Sequence, residues 1–311
     1  MSDSRFPLRR ISAGFCGTLW AASETGPPTS AKMEDLIARS ATTSKHINTS
    51  YSACAKYHTN IPLCHSFITP TDSWWTSNLD RFPPDYKPCN MTEMQRIPPL
   101  ADEVRKSDTK RDCLIRSYLG RRRIQRDSGT PPSKGFFSLR NYPLHVDQME
   151  EIGIPEGDIM AYSRTMADTL AFLHWVARND GNDIEFVLAA PNSISGGSFG
   201  RKRTWNNALG RHEMWMLDFD LARPMTMDEQ GIRQAVEAFW KNDPFCPRPN
   251  EHSSIWKAFR EQYLSTSKEH ISATGLGDRL QETLPGQFIR LVEESPRANT
   301  NKNKIIDTHV K

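Results

Sequence analysis

The sequence has no long apolar run. No stretch of its 311 residues approaches the roughly 20 apolar residues that a membrane-spanning helix needs. The N-terminal stretch MSDSRFPLRRISAGFCGTLW also lacks the uninterrupted apolar core of a secretory signal. These absences argue against membrane and secreted proteins, and we expect the chain in the cytoplasm or the nucleus.

The sequence is also poor in cysteine and nearly balanced in charge. Its 6 cysteines show no framework-like pairing, so we expect reduced thiols rather than disulfides. The net charge of +3 is too small to predict a nucleic-acid or membrane-surface partner by itself. The mean hydropathy of −0.63 indicates a soluble protein with long polar loops.

The pattern that is present divides the chain into a β-rich first part and a mainly helical second part. Strand-like stretches cover residues 5–22, 61–69, 88–97, 184–188 and 215–217, and residues 113–119 and 136–139 resemble a hairpin. Helices are predicted at 145–152, at 158–177, after Thr226 and, as the last one, at 254–271. We predict an α+β fold with lobes at 1–142 and 143–295 and a disordered tail at 296–311.

Two carboxylates follow the apolar run Trp215-Met216-Leu217. If the strand continued, Asp218 and Asp220 would point the same way, because side chains alternate between faces. Two bare carboxylates about 5 Å apart repel by roughly 3 kcal/mol at an effective dielectric of about 20. A cation is therefore expected beside them, or one of the two must turn out to solvent. A salt bridge to Arg223 or another nearby cation is one candidate for it.

Several short motifs occur in a distinctive order along the chain. They are SAGFCGTLW, QRIPPL, CLIRSYLGRRR, FFSLRNYPL, MADTLAFLHW, EFVLA, MLDFD and NDPFCPRP, and they extend from about residue 9 to residue 265. In these stretches the chain resembles a fungal domain family of unknown function that is often labelled zinc-finger-protein-like. In motif order, and in the Asp-Phe after a strand, it is more distantly similar to the protein-kinase-like superfamily.

The kinase likeness implies a two-lobed fold that binds ATP and Mg²⁺. It places Gly14 and Gly17 in the loop that covers the phosphates and makes Lys32 the lysine that binds them. It makes Asp180 the catalytic base and Asp218 a metal ligand.

The same likeness leaves the second metal ligand open and puts the hinge between the lobes at residues 95–97. Glu185 stands where kinases have a metal-binding Asn, and Asn182 is the alternative. Ser12 replaces the first glycine of the loop, and Asp220 replaces the last glycine of Asp-Phe-Gly. No glutamate lies in residues 36–92 to pair with Lys32, unless Glu34 serves from an unusual place, so binding without efficient turnover is a second hypothesis.

Each of these residues also has a purely structural interpretation. The two glycines fit a plain hairpin turn, and Lys32 fits an exposed surface position. Asp180 fits a cap at the loop after the long helix. His174, in the apolar context LHW, is predicted to be a core histidine that positions the Asp180 loop.

A third hypothesis concerns zinc or nucleic acid. Cys54, His58, Cys64 and His65 are zinc-ligand types, but their spacing is not that of a finger. The basic runs at 121–123 and 201–203 lack the interleaved aromatic residues that stack on bases. This hypothesis is the weakest of the three.

The functional hypotheses follow from these residues. The first is a kinase-like ATP- and Mg²⁺-binding protein that phosphorylates a small-molecule or protein hydroxyl. The second is a kinase-fold binding or scaffold protein without turnover, and the third is a zinc- or nucleic-acid-associated regulator. The expected partners are a nucleotide and an acceptor of unknown identity. No membrane is expected, and nucleic acid is the least favoured partner.

Overall fold

The computed structural model describes residues 7–14, 17–21, 28–32, 42–50, 58–100, 114–122, 142–191, 203–273 and 279–295. Its contacts group the chain into two units. The first unit contains residues 1–117, 124–144 and 183–222, and the second contains 118–123, 145–182 and 223–311. The lobe boundary predicted at residue 142 stays a prediction.

A first antiparallel sheet lies in the first unit, and its strands are ordered β1-β2-β3-β5-β4. Their bounds are β1 Arg9–Gly14, β2 Gly17–Ala21, β3 Pro28–Lys32, β4 Cys64–Ile68 and β5 Met91–Met94. Trp20, Trp75, Phe82 and Met91 form the buried core beside it, and this core anchors the short helix α1 Trp74–Asn78. The β-branched and aromatic residues of these short segments favour strands packed on one apolar face.

A second sheet is ordered β7-β6-β8-β10-β9. Its strands are β6 Ile115–Tyr118, β7 Tyr142–His145, β8 Glu185–Ala189, β9 Trp205–Asn207 and β10 Gly210–Leu217. All five residues of β8 are buried, as expected for a central strand. Trp215 of β10 is fully buried and packs in one cluster with Val187 and Ala189.

The second unit is built mainly from helices. These are α2 Val146–Glu151, α3 Glu156–Trp175, α4 Glu229–Lys241, α5 Ser253–Ala273 and α6 Arg279–Glu294. Helix α3 is buried on more than its predicted apolar stripe, because small residues such as Ala161, Ala167 and Ala171 let neighbouring helices approach closely. Ser163 of α3 donates a hydrogen bond to the carbonyl of Ile255 in α5, at 3.0 Å.

The predicted α+β class is confirmed, with a β-rich N-terminal region and a helical C-terminal region. Several elements, among them α3, β8 and β10, lie within a few residues of their predicted positions, whereas β3, α1 and β9 were not predicted. The prediction that 254–271 is the last helix is wrong, because α6 follows it. Pro285 and Gly286 hide that helix from pattern analysis, yet Leu284, Phe288 and Val292 bury its apolar face.

Some predicted features lie outside the described residues. They are the strand at 136–139 and the tail at 296–311. In the sheet, β6 lies between β7, at Tyr142–His145, and β8. Among the described helices, none has the length and apolar character that would let it span a bilayer.

Candidate functional site

The predicted phosphate-binding residues are brought together by strand register. Gly14 of β1 is paired with Gly17 of β2, and Gly17 is paired in turn with Lys32 of β3. The three backbones therefore lie side by side at one end of the first sheet, although they are up to eighteen positions apart in sequence. The side chain of Lys32 lies outside the described residues. Glycines at such a turn leave room for a ligand to approach the backbone closely.

Asp180 lies in the second unit, in the loop after α3, and its carboxylate is fully buried. Its Oδ1 accepts hydrogen bonds from the backbone N–H groups of Arg223 at 2.9 Å and Asn182 at 3.0 Å. Its Oδ2 accepts from Arg223 Nε and from Gln234 Nε2, both at 2.9 Å. The carboxylate thus ties its own loop to the chain before α4 and to α4 itself.

The backbone of the same loop is fixed by further hydrogen bonds. The N–H of Asp180 donates to the carbonyl of Arg223 at 2.9 Å, and Asn179 forms an isolated antiparallel bridge with Pro224. Asn179 Oδ1 accepts from the N–H of Gly181, which closes a tight turn at a positive φ. The loop is therefore a rigid, internally bonded structure.

His174 is a completely buried residue at the end of α3, as the sequence predicted. Its Nδ1 lies 2.8 Å from the hydroxyl of Tyr263 in α5, and the ring packs edge-on against Phe288 of α6. Burial lowers the pKa of His174 to about 3, and a hydrogen bond to the backbone of Asp180 opposes this shift. The neutral imidazole joins α3 to α5 and packs against α6.

The acidic end of β10 does not continue as a strand. Strand β10 ends at Leu217, and Asp218 adopts a left-handed backbone with φ of 67°. Asp tolerates this conformation better than most residues, but the extended alternation stops there. The expectation that Asp218 and Asp220 share one face by strand alternation therefore does not apply. Asp220 is buried, and Asp218 is half-buried.

Glu185 lies beside Asp218, because it opposes Leu217 across the β8–β10 pairing. Its carboxylate is bonded through both oxygens to the guanidinium of Arg116 in β6, with Nε 3.1 Å from Oε2 and Nη2 in contact with Oε1. Burial raises the pKa of Glu185 to about 7 against the opposing charge of Arg116, and Asp218 and Asp183 raise it further. Arg116 is thus the cation that faces this acidic group.

The surroundings of Glu185 decide whether this position could hold Mg²⁺, the metal that the kinase likeness implies. Mg²⁺ in phosphate-binding sites uses one or two ionised carboxylates, with substrate oxygens and water completing the octahedron. Both oxygens of Glu185 already accept hydrogen bonds from Arg116, so the residues as they lie do not fit the ion at this position. In the described part of the chain, no three His, Cys, Asp or Glu side chains gather closely enough to hold a metal.

The other predicted residues have simpler surroundings. Gln95 is buried and exchanges hydrogen bonds with Leu63, its N–H donating at 2.7 Å and its Oε1 accepting at 3.3 Å. Cys54 lies outside the described residues, so the four-residue zinc constellation is described only in part. Burial raises the pKa of the Cys64 thiol, which disfavours the thiolate that zinc requires.

Two functional partners were missed at the sequence level. Arg116 and Gln234 satisfy Glu185 and Asp180, but both stand more than fifty residues from the acids they contact. A cation inside the apolar strand pattern CLIRSYL was the available signal for Arg116, since an arginine there needs a buried partner.

Comparison with known families and proteins adds one match. A family model described as "Zinc finger protein" matches residues 214–275, which cover the end of β10, α4 and α5. No curated protein matches the chain.

Proposed function

We propose that this chain is a kinase-like protein that binds ATP without turning it over efficiently. The observation that carries the proposal is the state of Asp180, the residue expected to be the catalytic base. A carboxylate has about four lone-pair positions. Four donors surround this one, namely Arg223 N, Arg223 Nε, Asn182 N and Gln234 Nε2.

A general base must reach the proton that it removes through a hydrogen bond of about 2.6–3.2 Å. A substrate hydroxyl would have to replace one of the four donors at Asp180, which is buried and bonded to two fixed backbone N–H groups. The arrangement supports a structural role for this carboxylate. It favours the binding hypothesis over the phosphotransferase hypothesis.

The nucleotide part of the proposal is supported by the first sheet. Register aligns Gly14, Gly17 and Lys32 at one end of three neighbouring strands. Gly14 and Gly17 carry no side chain that would obstruct a phosphate, and Lys32, on the strand next to Gly17, supplies the positive charge that phosphates attract. Asp218 remains the proposed metal ligand if Mg²⁺ accompanies the nucleotide.

The test measures ATP binding and ATP consumption on the same full-length protein. Thermal shift and titration calorimetry with ATP should show binding that Lys32→Met weakens at least about tenfold, since a lost charge-assisted phosphate contact is worth about 1.5–3 kcal/mol. Lys45→Met is the matched control, because Lys45 belongs to the helical stretch at 42–50. ATP consumption should stay at the background level.

The other hypotheses predict different results. Turnover that Asp180→Asn abolishes would establish the phosphotransferase and contradict our proposal. Absence of any ATP binding would overturn both kinase-like hypotheses. Tightly held zinc in the purified protein, lost in Cys54→Ser, would support the zinc-associated regulator instead.

A further inference from the structure

Arg116 is placed against Glu185 by the pairing of two buried strands. Arg116 of β6 directly opposes Val187 of β8. Glu185 lies two residues before Val187, so it is the diagonal neighbour of Arg116 on the same face of the sheet. Long side chains reach such diagonal neighbours easily. The register of the second sheet therefore places these two side chains next to each other.

The contact is bidentate and mostly shielded from water. The side chains of Arg116 and Glu185 are 21% and 11% exposed. A guanidinium that meets a carboxylate through two parallel N–H bonds makes a strong, directional, charge-assisted contact. Removing either partner would leave the other charge poorly compensated in this shielded place.

Two further acids face the same position. Asp218 and Asp183 act electrostatically on Glu185, and both have left-handed backbones, with φ of 67° and 64°. In kinase-like proteins the corresponding acidic region is the one expected to hold a divalent cation. Here a guanidinium from the protein itself lies against Glu185.

We propose that Arg116 takes the place of a divalent cation at Glu185, so that this carboxylate does not act as a metal ligand. The inference goes beyond the proposed function, because the counter-charge at Glu185 does not depend on nucleotide. It differs from that function in assigning the counter-charge to a residue of the chain. Arg116 is a positioning and charge-compensating residue, not a catalytic one.

The direct test is titration with Mn²⁺ in the absence of nucleotide, followed by electron paramagnetic resonance of the free ion. Glu185 of the wild-type protein should bind no Mn²⁺, so Glu185→Gln should leave Mn²⁺ binding unchanged. At a pH well above the raised pKa of Glu185, Arg116→Gln should increase Mn²⁺ affinity at least about tenfold, because the ionised carboxylate loses its contacting cation and is exposed to the ion. Arg233→Gln is the control, since Arg233 pairs with Glu229 on the exposed face of α4.

The Mn²⁺ titration contains no nucleotide, so its result is independent of the proposed ATP binding. If ATP fails to bind, the proposed function is wrong, and the Mn²⁺ titration still tests the role of Arg116.

Two results would overturn the assignment. One is Mn²⁺ binding by the wild type that Glu185→Gln abolishes. The other is an Arg116→Gln protein that binds Mn²⁺ no better than the wild type. If Arg116→Gln fails to fold, Arg116→Lys replaces it. Lysine keeps the charge without the bidentate fork, so a smaller gain of Mn²⁺ affinity is expected, and no gain would count against the assignment.

Discussion

At the residue scale, Asp180 holds three parts of the chain together through one carboxylate. Its four hydrogen bonds connect its own loop, the backbone at Arg223 and the side chain of Gln234 in α4. A buried carboxylate is stable only when its oxygens are satisfied in this way. These hydrogen bonds stabilise the fold, and they also occupy the lone pairs that a general base would need.

Asp180→Ala should lower the free energy of unfolding by about 2–4 kcal/mol, because two backbone donors lose their acceptor in a buried site. The half-exposed guanidinium of Arg223 is partly solvated, so its lost ion pair adds little. Chemical denaturation followed by circular dichroism measures the change. Arg233→Ala, which breaks an exposed pair on α4, should cost only a few tenths of a kcal/mol, and is the control. An unchanged stability in Asp180→Ala would contradict the structural role of this carboxylate.

The buried imidazole of His174 predicts a specific pH dependence of stability. In the unfolded chain the imidazole binds a proton below its ordinary pKa of 6.5, whereas in the folded protein the pKa is about 3. The folded state therefore loses stability as the pH falls through this window. One such group lowers the free energy of unfolding by about 2 kcal/mol between pH 7 and pH 5.

His174→Gln should remove the pH dependence that the imidazole contributes. The glutamine amide still offers a hydrogen-bond partner to the hydroxyl of Tyr263. Glu185 acts in the opposite direction, because its raised pKa of about 7 makes the folded state lose stability as the pH rises above 4.5. The difference between wild type and His174→Gln isolates the histidine. His46→Gln, at an exposed position, is the matched control. Identical pH profiles for wild type and His174→Gln would contradict the buried neutral imidazole.

At the element scale, the start of α4 depends on one glycine. Asp228 caps the helix by accepting the N–H of Gly231 at 2.9 Å and the hydroxyl of Thr226 at 2.6 Å. This turn brings the backbone of Thr226 against the Cα of Gly231. A Cβ at Gly231 would lie 1.9 Å from the carbonyl oxygen of Thr226, a distance that no side chain can accommodate.

Gly231→Ala should therefore destabilise the protein by about 1–3 kcal/mol, since backbone atoms must shift to relieve the overlap. Gly157, near the start of α3, is the matched control, because a Cβ there meets nothing within 4 Å. Gly157→Ala should be neutral or stabilising by about 0.5–1 kcal/mol, as expected for alanine in a helix. Thermal unfolding of the two variants in parallel distinguishes them. Equal effects would show that the Thr226 turn is not rigid.

At the scale of the whole molecule, each unit is assembled from segments that are distant in sequence. The segment 214–275, which the family model matches, contributes β10 to one unit and α4 and α5 to the other. In α5, Tyr263 needs His174 of α3 and packs against Phe288 of α6. In β10, Trp215 needs the β8 residues Val187 and Ala189.

The isolated segment 214–275 should therefore not fold cooperatively. Its apolar residues lose the surfaces that bury them, and its helices are left with little tertiary packing to stabilise them. Expressed alone, it should show poorly dispersed amide signals by NMR and no sigmoidal thermal transition, whereas the full chain shows both dispersion and a transition. A cooperative transition in the fragment would mean that the matched segment is an independent domain.

The sequence by itself determined the element types and many of their positions. The apolar stripe from Ile159 to Leu173 predicted α3, and the run Trp215-Met216-Leu217 predicted the end of β10, because these patterns depend on near neighbours. Local periodicity and turn chemistry are sufficient for such features.

Only the tertiary structure decided what the acidic residues contact. The sequence left a metal, Arg223 or another cation as possible partners of the acids at the end of β10. The fold pairs Glu185 with Arg116 and gives Arg223 to Asp180. These contacts join residues 69 and 43 positions apart, and no local pattern specifies which strands will be neighbours. Electrostatic partners are set by proximity in space, so they follow from the sheet register and loop packing rather than from the motifs themselves.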